Sequence, residues 1–234
     1  MIDALDRGAF HVKWDGLTVG QQDQLIRVLE VLEHDEHAPT TIRAREHALQ
    51  AHVADSLVAL DIEAVATATR IADLGSGVGF PGLALAVAVA STDVSLVESQ
   101  RRKCEFLERV CAAATIANAH VVCSRAEEWR EGIERCDVVV ARALAPQPVV
   151  LEYAAPLLRV GGTLVDWRGR RDPVSEAAAE QTAAVLGMNR QEIRAVLPFA
   201  QATDRHLHVF VKDEATPERF PRRAGMARKR PLTG

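Results

Sequence analysis

Aromatic side chains are scarce in this chain of 234 residues: 4% of it, with 3 Trp, 6 Phe and 1 Tyr. Few rings are therefore available to stack on a ligand. Long apolar runs are missing as well. Leu83 to Ala90 is the longest and falls far short of the roughly 18 residues that cross a bilayer. The N-terminal MIDALDRGAFHVKWDG has no basic start followed by an apolar stretch, so no export signal is expected and the implied compartment is the cytoplasm. Cys104, Cys111, Cys123 and Cys136 stand 7, 12 and 13 positions apart, with no C-x-x-C pair. That spacing argues against a zinc ribbon or a dithiol motif and favours buried, reduced thiols. His34, His37, His47 and His52 cluster in sequence but lack H-E-x-x-H or comparable ligand spacing, so no metal is expected.

Net charge is also small. With 28 Lys+Arg against 32 Asp+Glu the chain carries −4, which taken alone argues against a nucleic-acid partner. The distribution is uneven, however. From Pro217 to Gly234 six basic residues (Arg219, Arg222, Arg223, Arg228, Lys229, Arg230) face Glu218 alone, so this tail is +5 and the rest −9. Such asymmetry marks either a polyanion-seeking arm or a disordered, solubilising terminus.

What is present is ordinary globular composition, 48% hydrophobic and 26% charged, enough to bury a core. Leu25, Val28, Leu29 and Leu32 form one helical stripe within residues 18–36. Residues 42–60 read as a second helix with a weaker face through Ala44, Ala48, Ala51, Leu57 and Val58. From Arg70 the pattern changes to short apolar runs near 70–75, 93–98, 119–124, 137–142, 162–167, 190–197 and 206–212. Between them helices fit near 81–90, 99–114, 147–158 and 173–186. This alternation predicts an α/β fold with a mostly parallel seven-stranded sheet, its last two strands an antiparallel edge pair. The expected organisation is an N-terminal helical cap (1–65), the α/β domain (66–214) and the basic tail (215–234).

The first strand runs into DLGSGVGFPG, Asp73 to Gly82. Glycines there let the backbone turn tightly against a ligand, and the following helix start offers free amides. Gly77-Val-Gly79-Phe-Pro-Gly82 also fits G-x-G-x-x-G, a weak signal for a dinucleotide site. No dehydrogenase equipment follows: Tyr153, the one tyrosine, has no Lys four residues on. The Asp73-Leu-Gly75-Ser-Gly77 start is similar to motif I of methyltransferases, which turns the reading from NAD to S-adenosylmethionine. Glu98 ends the second strand 23 positions after Gly75, where a carboxylate can accept from both ribose hydroxyls. Ser124 to Glu128 follow the third strand and suit either an adenine contact or a helix cap.

Taken in order, HVADSL (52–57), DLGSGVGFPG, LVESQRRKCEFLERV, SRAEEW, DVVVARALAP and PRRAGMARKRPL resemble the ribosomal small-subunit methyltransferase G (GidB) family. The resemblance covers most of the chain from about residue 52. It implies a Rossmann-like class I S-adenosylmethionine-dependent methyltransferase that modifies N7 of a guanine in 16S rRNA of the small ribosomal subunit, with monomer as the default state. It assigns Gly75, Phe80, Ala126, Glu127 and Arg142 to the methyl-donor pocket; the glycine loop and strand reading add Gly77 and Glu98. Arg142 has a salt bridge to Asp137 or Glu152 as its plainer role. Two family features are replaced: the W-N-x-x-x-N-L-T element is not visible, and Asp166-Trp167-Arg168-Gly169 stands where L-K-G is usual.

Guanine N7 carries a lone pair and no proton, so its methylation needs no general base, and no catalytic residue is assigned. A cytosine-C5 enzyme would need a thiolate in Pro-Cys context, and an exocyclic-amine enzyme an N/D-P-P-Y/F run; here that run is AlaArgAlaLeuAlaProGln. Trp167, with Phe80 and Trp129, is the candidate to stack on the acceptor base, or else a core indole. The alternatives are a relative acting on another RNA or a small molecule, and a non-catalytic ribosome-binding protein.

Overall fold

In a computed structural model the structure describes residues 13–232. Most of the N-terminal stretch read for an export signal, and the last two residues of the tail, lie outside them. Helix α1 (Val19–His34) starts at Thr18, whose hydroxyl accepts from Gln21 N while Gln21 reciprocates on the Thr18 amide. This capping box satisfies two amides that no helical carbonyl can reach. The stripe Leu25, Val28, Leu29 and Leu32 is buried, as its spacing predicts. Gln21 Nε2 then donates to Val87 O and Ala88 O, fastening α1 to the end of a helix in the α/β layer.

The second helical stretch begins at Arg45, later than expected, and is not regular. It runs through α2 (Arg45–Ala48), a π-helical segment (Leu49–Ala54) and α3 (Asp55–Leu57). A π segment widens the turn and rotates the following face. Ala44, ahead of it, is exposed, whereas everything from His52 to Ala59, including His52, Asp55 and Ser56, is buried. A short α4 (Glu63–Ala66) leads into the sheet.

The sheet and its helices follow in alternation: β1 (Arg70–Leu74), α5 (Gly82–Ala88), β2 (Asp93–Glu98), α6 (Arg101–Ala113), β3 (Ala119–Cys123), β4 (Cys136–Arg142), α7 (Gln147–Ala154), β5 (Leu158–Arg168), α8 (Pro173–Val185), β6 (Met188–Ala195) and β7 (His206–Lys212). A short α9 (Met226–Lys229) lies in the tail. Strand order is β3-β2-β1-β4-β5-β7-β6. All pairings are parallel except those of β7, which is antiparallel to both β5 and β6. β5 starts four residues earlier than expected, at Leu158, because Gly161 turns at φ 82° and the strand resumes pairing beyond it. β6 starts at Met188 and ends at Ala195, short of the predicted 197.

One apolar cluster packs α1, the π segment, α5 and α6 on one face of the sheet, and a second packs α7 and α8 on the other. The N-terminal helices thus share a core with α5 and α6. The chain reverses direction of growth between β1 and β4, which pair side by side with Leu74 opposite Ala141. Such a switch point opens a crevice at the carboxyl ends of the strands.

Candidate functional site

Above β1 the backbone turns through Gly75, Gly77 and Gly79 at φ 70°, 56° and 101°, a region that side chains with a Cβ rarely adopt. Asp73 holds the turn from below. Its Oδ2 accepts from Gly82 N at 3.0 Å, and Ser76 Oγ donates to its carbonyl. Gly82 has to be bare there, since a Cβ would come within 2.7 Å of Asp73 Oδ2 and 2.4 Å of Leu96 Cδ2. The first amide of α5, expected to face a ligand, is therefore engaged by Asp73. Burial pushes the Asp73 carboxyl up to about 6 despite that bond.

A cleft of about 440 Å³ opens beside this turn, with Gly75, Glu98, Ala126, Glu127, Tyr153 and Arg228 in its wall. Glu98 is buried; Oε2 accepts from Gly77 N at 3.2 Å and Oε1 from Gln100 N at 2.8 Å. Each oxygen keeps a second lone pair, as a diol acceptor requires. Gly75 contributes only backbone, and the nearest atom to its missing Cβ would be Leu144 Cδ1 at 2.5 Å. These features fit an adenosyl group.

The basic tail forms part of the same wall, which corrects the picture of a free arm. Gly225 N donates to Glu127 Oε1 at 2.9 Å, and Arg228 Nη2 to Leu144 O at 3.0 Å. Arg222 grips the buried Glu152 through both carboxylate oxygens, at 2.6 and 2.5 Å. Phe220 and Ala227 join the apolar cluster under α7. The Glu127 carboxylate thus spends one oxygen on the tail backbone. Arg219, Arg223, Lys229 and Arg230 still face solvent.

A second, larger cavity of about 860 Å³ adjoins the first and shares Gly75 and Ala143 with it. Ala143 follows β4 at φ 54°, a strained backbone at the junction. Gly77, Phe80 and Arg142 lie here, with His52, Asp55 and Trp167. Arg142 does not pair with Asp137 or Glu152. Its Nη1 donates to Asp55 Oδ2 at 2.9 Å and Ala51 O at 3.1 Å, while Nη2 lies 3.3 Å from His52 Nδ1. Asp137 bonds Arg159 and Glu152 bonds Arg222 instead. Phe80 stacks on His52 with ring centres 5.1 Å apart and planes at 9°. Burial, then the Arg142 charge, lowers the His52 pKa to about 4. Trp167, read as a base-stacking ring or else a core indole, is buried with Nε1 donating to Asp55 O at 2.8 Å; it takes the second role, as a strut of the wall.

Of the predicted site residues, Gly75, Glu98, Ala126 and Glu127 meet in the first cleft, and Gly77, Phe80 and Arg142 in the second with Gly75 between. Sequence reasoning left out His52, Asp55, Tyr153 and Arg228 as site residues. His52 and Asp55 are detectable as polar residues in the otherwise apolar stretch HVADSLVAL (52–60); Arg228 is not, because nothing local tells where the tail lands. Cys123 is exposed and Cys111 half-buried, contrary to the expectation for all four thiols. Burial pushes Cys104 and Cys136 up to about 12, so neither supplies a thiolate near neutral pH. Among the described residues no helix is long and apolar enough to cross a membrane.

The reversed β7, the glycine turn at the switch point and the buried acid at the tip of β2 define a class I S-adenosylmethionine-dependent methyltransferase. The family model described as rRNA small subunit methyltransferase G (GidB) matches residues 21–208. The chain belongs to this family and is an S-adenosylmethionine-dependent rRNA methyltransferase. It is 38% identical to the ribosomal RNA small subunit methyltransferase G of Chloroflexus aggregans over 224 residues, 92% of each chain. To the protein of that name from Rubrobacter xylanophilus it is 38% identical over 198 residues, 82% of this chain and 76% of the other. Fibrillarin from Aeropyrum pernix, solved with natively bound S-adenosyl-L-methionine, shares the fold at a TM-score of 0.55 and 20% identity, over 68% of this chain and 73% of that one.

Proposed function

We propose that this protein methylates N7 of a guanine in 16S rRNA of the small ribosomal subunit, acting as a cytoplasmic monomer. The observation that carries the reading is the pair of adjoining cavities that share Gly75 and Ala143. One suits the adenosyl donor and the other is large enough for a base. S-adenosylmethionine supplies a methyl group already activated on a sulfonium.

What is left to the chain is alignment and exclusion of water. Glu98 would accept from the ribose hydroxyls, the backbone around Ala126 and Glu127 would meet the adenine edge, and Gly75 would let the donor pass close to the junction. Gly77, Phe80 and Arg142 support the acceptor side of that junction through the turn and through His52 and Asp55. Because N7 offers a free lone pair, no residue has to remove a proton before transfer. In this reading the described part of the N-terminal cap, 13–65, roofs the acceptor cavity, 66–214 hold the donor, and the tail from 215 to 232 closes the donor cleft while its outward charges meet phosphates.

The test is a deletion strain whose rRNA is mapped for N7-methylguanine by borohydride and aniline cleavage. One 16S guanine should lose its cleavage signal and regain it on complementation. An unchanged map rules the reading out.

A further inference from the structure

Two polar atoms in the wall of the second cavity, His52 Nε2 and Asp55 Oδ1, are buried and have no hydrogen-bond partner. Both residues are more than nine-tenths buried, at 7% and 4% exposure. A buried polar atom left without a partner is costly, so two in one wall of a cavity call for a ligand. The pair sits one helical turn apart and is held by one guanidinium. Arg142 takes Asp55 Oδ2 with Nη1 and approaches His52 Nδ1 with Nη2.

A guanidinium can only donate. Nδ1 therefore serves as the acceptor, and the proton of the neutral ring is on Nε2. Stacking on Phe80 fixes the plane of that ring. Asp55 is equally fixed, by Arg142 on one oxygen and by Trp167 on its carbonyl. The wall thus offers one rigid donor beside one rigid acceptor. Over Asp55 Oδ1 lies Arg205 Nε at 3.6 Å, too long for a hydrogen bond, on a side chain 45% exposed. That long ion pair would have to yield to a base in the cavity, as it would if a substrate phosphate drew Arg205 outward.

We propose that His52 and Asp55 read the acceptor base: His52 Nε2–H donates to the 6-oxo group of guanine and Asp55 Oδ1 accepts from its N1–H. The assignment rests on the guanine-N7 reading above and names the residues that set its specificity. O6 neighbours N7 on the base edge that faces the donor, and N1–H comes next around the ring. Adenine presents an amino donor and a bare N1 at these positions, so it would meet both atoms with the wrong polarity. A site built to hydrogen-bond its substrate rejects such an analogue strongly because its buried groups stay unpaired.

The experiment uses full-length protein, labelled S-adenosylmethionine and small subunits reconstituted with guanine, inosine or 2,6-diaminopurine at the mapped position. Inosine keeps O6 and N1–H and should be methylated within a few-fold of guanine; 2,6-diaminopurine keeps N7 but neither group and should lose at least a hundredfold in kcat/KM. His52→Phe should preserve the stack and the affinity for S-adenosylmethionine while losing a similar factor on guanine. His52→Gln, with an oxygen for Arg142 and an N–H beyond it, should recover tenfold or more over His52→Phe. Methylation of diaminopurine as fast as inosine overturns the assignment, as does a His52→Phe enzyme within threefold of the parent. So does a parallel loss of cofactor affinity, which would make His52 part of the donor site. A parent protein inactive on guanine subunits overturns the functional reading itself.

Discussion

Asp73 shows how a single residue ties fold to site. Its carboxylate closes the gap between the end of β1 and the start of α5, and burial raises its pKa to about 6 from an unfolded value of 3.8. A raised carboxyl favours folding in its neutral form, so its contribution is intact below 3.8 and is lost as pH rises through about 6. Asp166, buried beside Arg168 and Gln147, is raised to about 6 by the same desolvation. His52 and His208 run the other way, with burial lowering both to about 4; their contribution is intact above 6.5 and is lost as pH falls through 4. Asp73→Asn should therefore gain on the parent above pH 6, by up to about 3 kcal/mol at one pKa unit per 1.36 kcal/mol. Thermal melts at pH 4 and pH 7.5 check this: the gap between variant and parent should open only at the higher pH.

At the level of elements, the tail is the piece whose role the structure changes most. Its charge pattern suggests an arm for polyanions, yet Arg222, Gly225 and Arg228 bond Glu152, Glu127 and Leu144 O. Removing it would strip Glu152 of its Arg222 partner and take Phe220 and Ala227 out of the apolar cluster under α7. Deleting residues 217–234 should lower the thermal midpoint by several degrees and weaken S-adenosylmethionine binding at least roughly tenfold, since the cleft loses a wall. Calorimetry on the truncated and full chains measures both. Unchanged cofactor affinity would remove the tail from the donor site. The helical stretch 45–57 shows a related effect: its apolar periodicity predicts a regular helix, but the π segment Leu49–Ala54 rotates His52 and Asp55 toward the cavity.

Across the whole molecule, the charge of −4 is a sum over surfaces with different tasks. Arg222 is neutralised by Glu152, while Arg219, Arg223, Lys229 and Arg230 remain on the outside. Changing Arg223, Lys229 and Arg230 together to Gln should leave cofactor affinity unchanged. Binding to small subunits should weaken, with the slope of log K against log salt falling by about 2–3 if each residue meets a phosphate. Titrations at several salt concentrations decide whether these charges contact RNA.

The sheet with its antiparallel last pairing, the glycine turn at the end of β1 and the acid at the tip of β2 are legible in the amino-acid sequence. Each depends on periodicity or on backbone freedom within a few residues, so local chemistry suffices to reveal it. What the ionic side chains do emerges from the packing of distant segments. Arg142 meets Asp55 across 87 positions and His52 across 90, and the tail meets Glu127 across 98. Which partner a charge finds over such separations is set by how helices pack on the sheet, and Asp55, Asp137 and Glu152 are equivalent carboxylates until that packing brings one of them to Arg142.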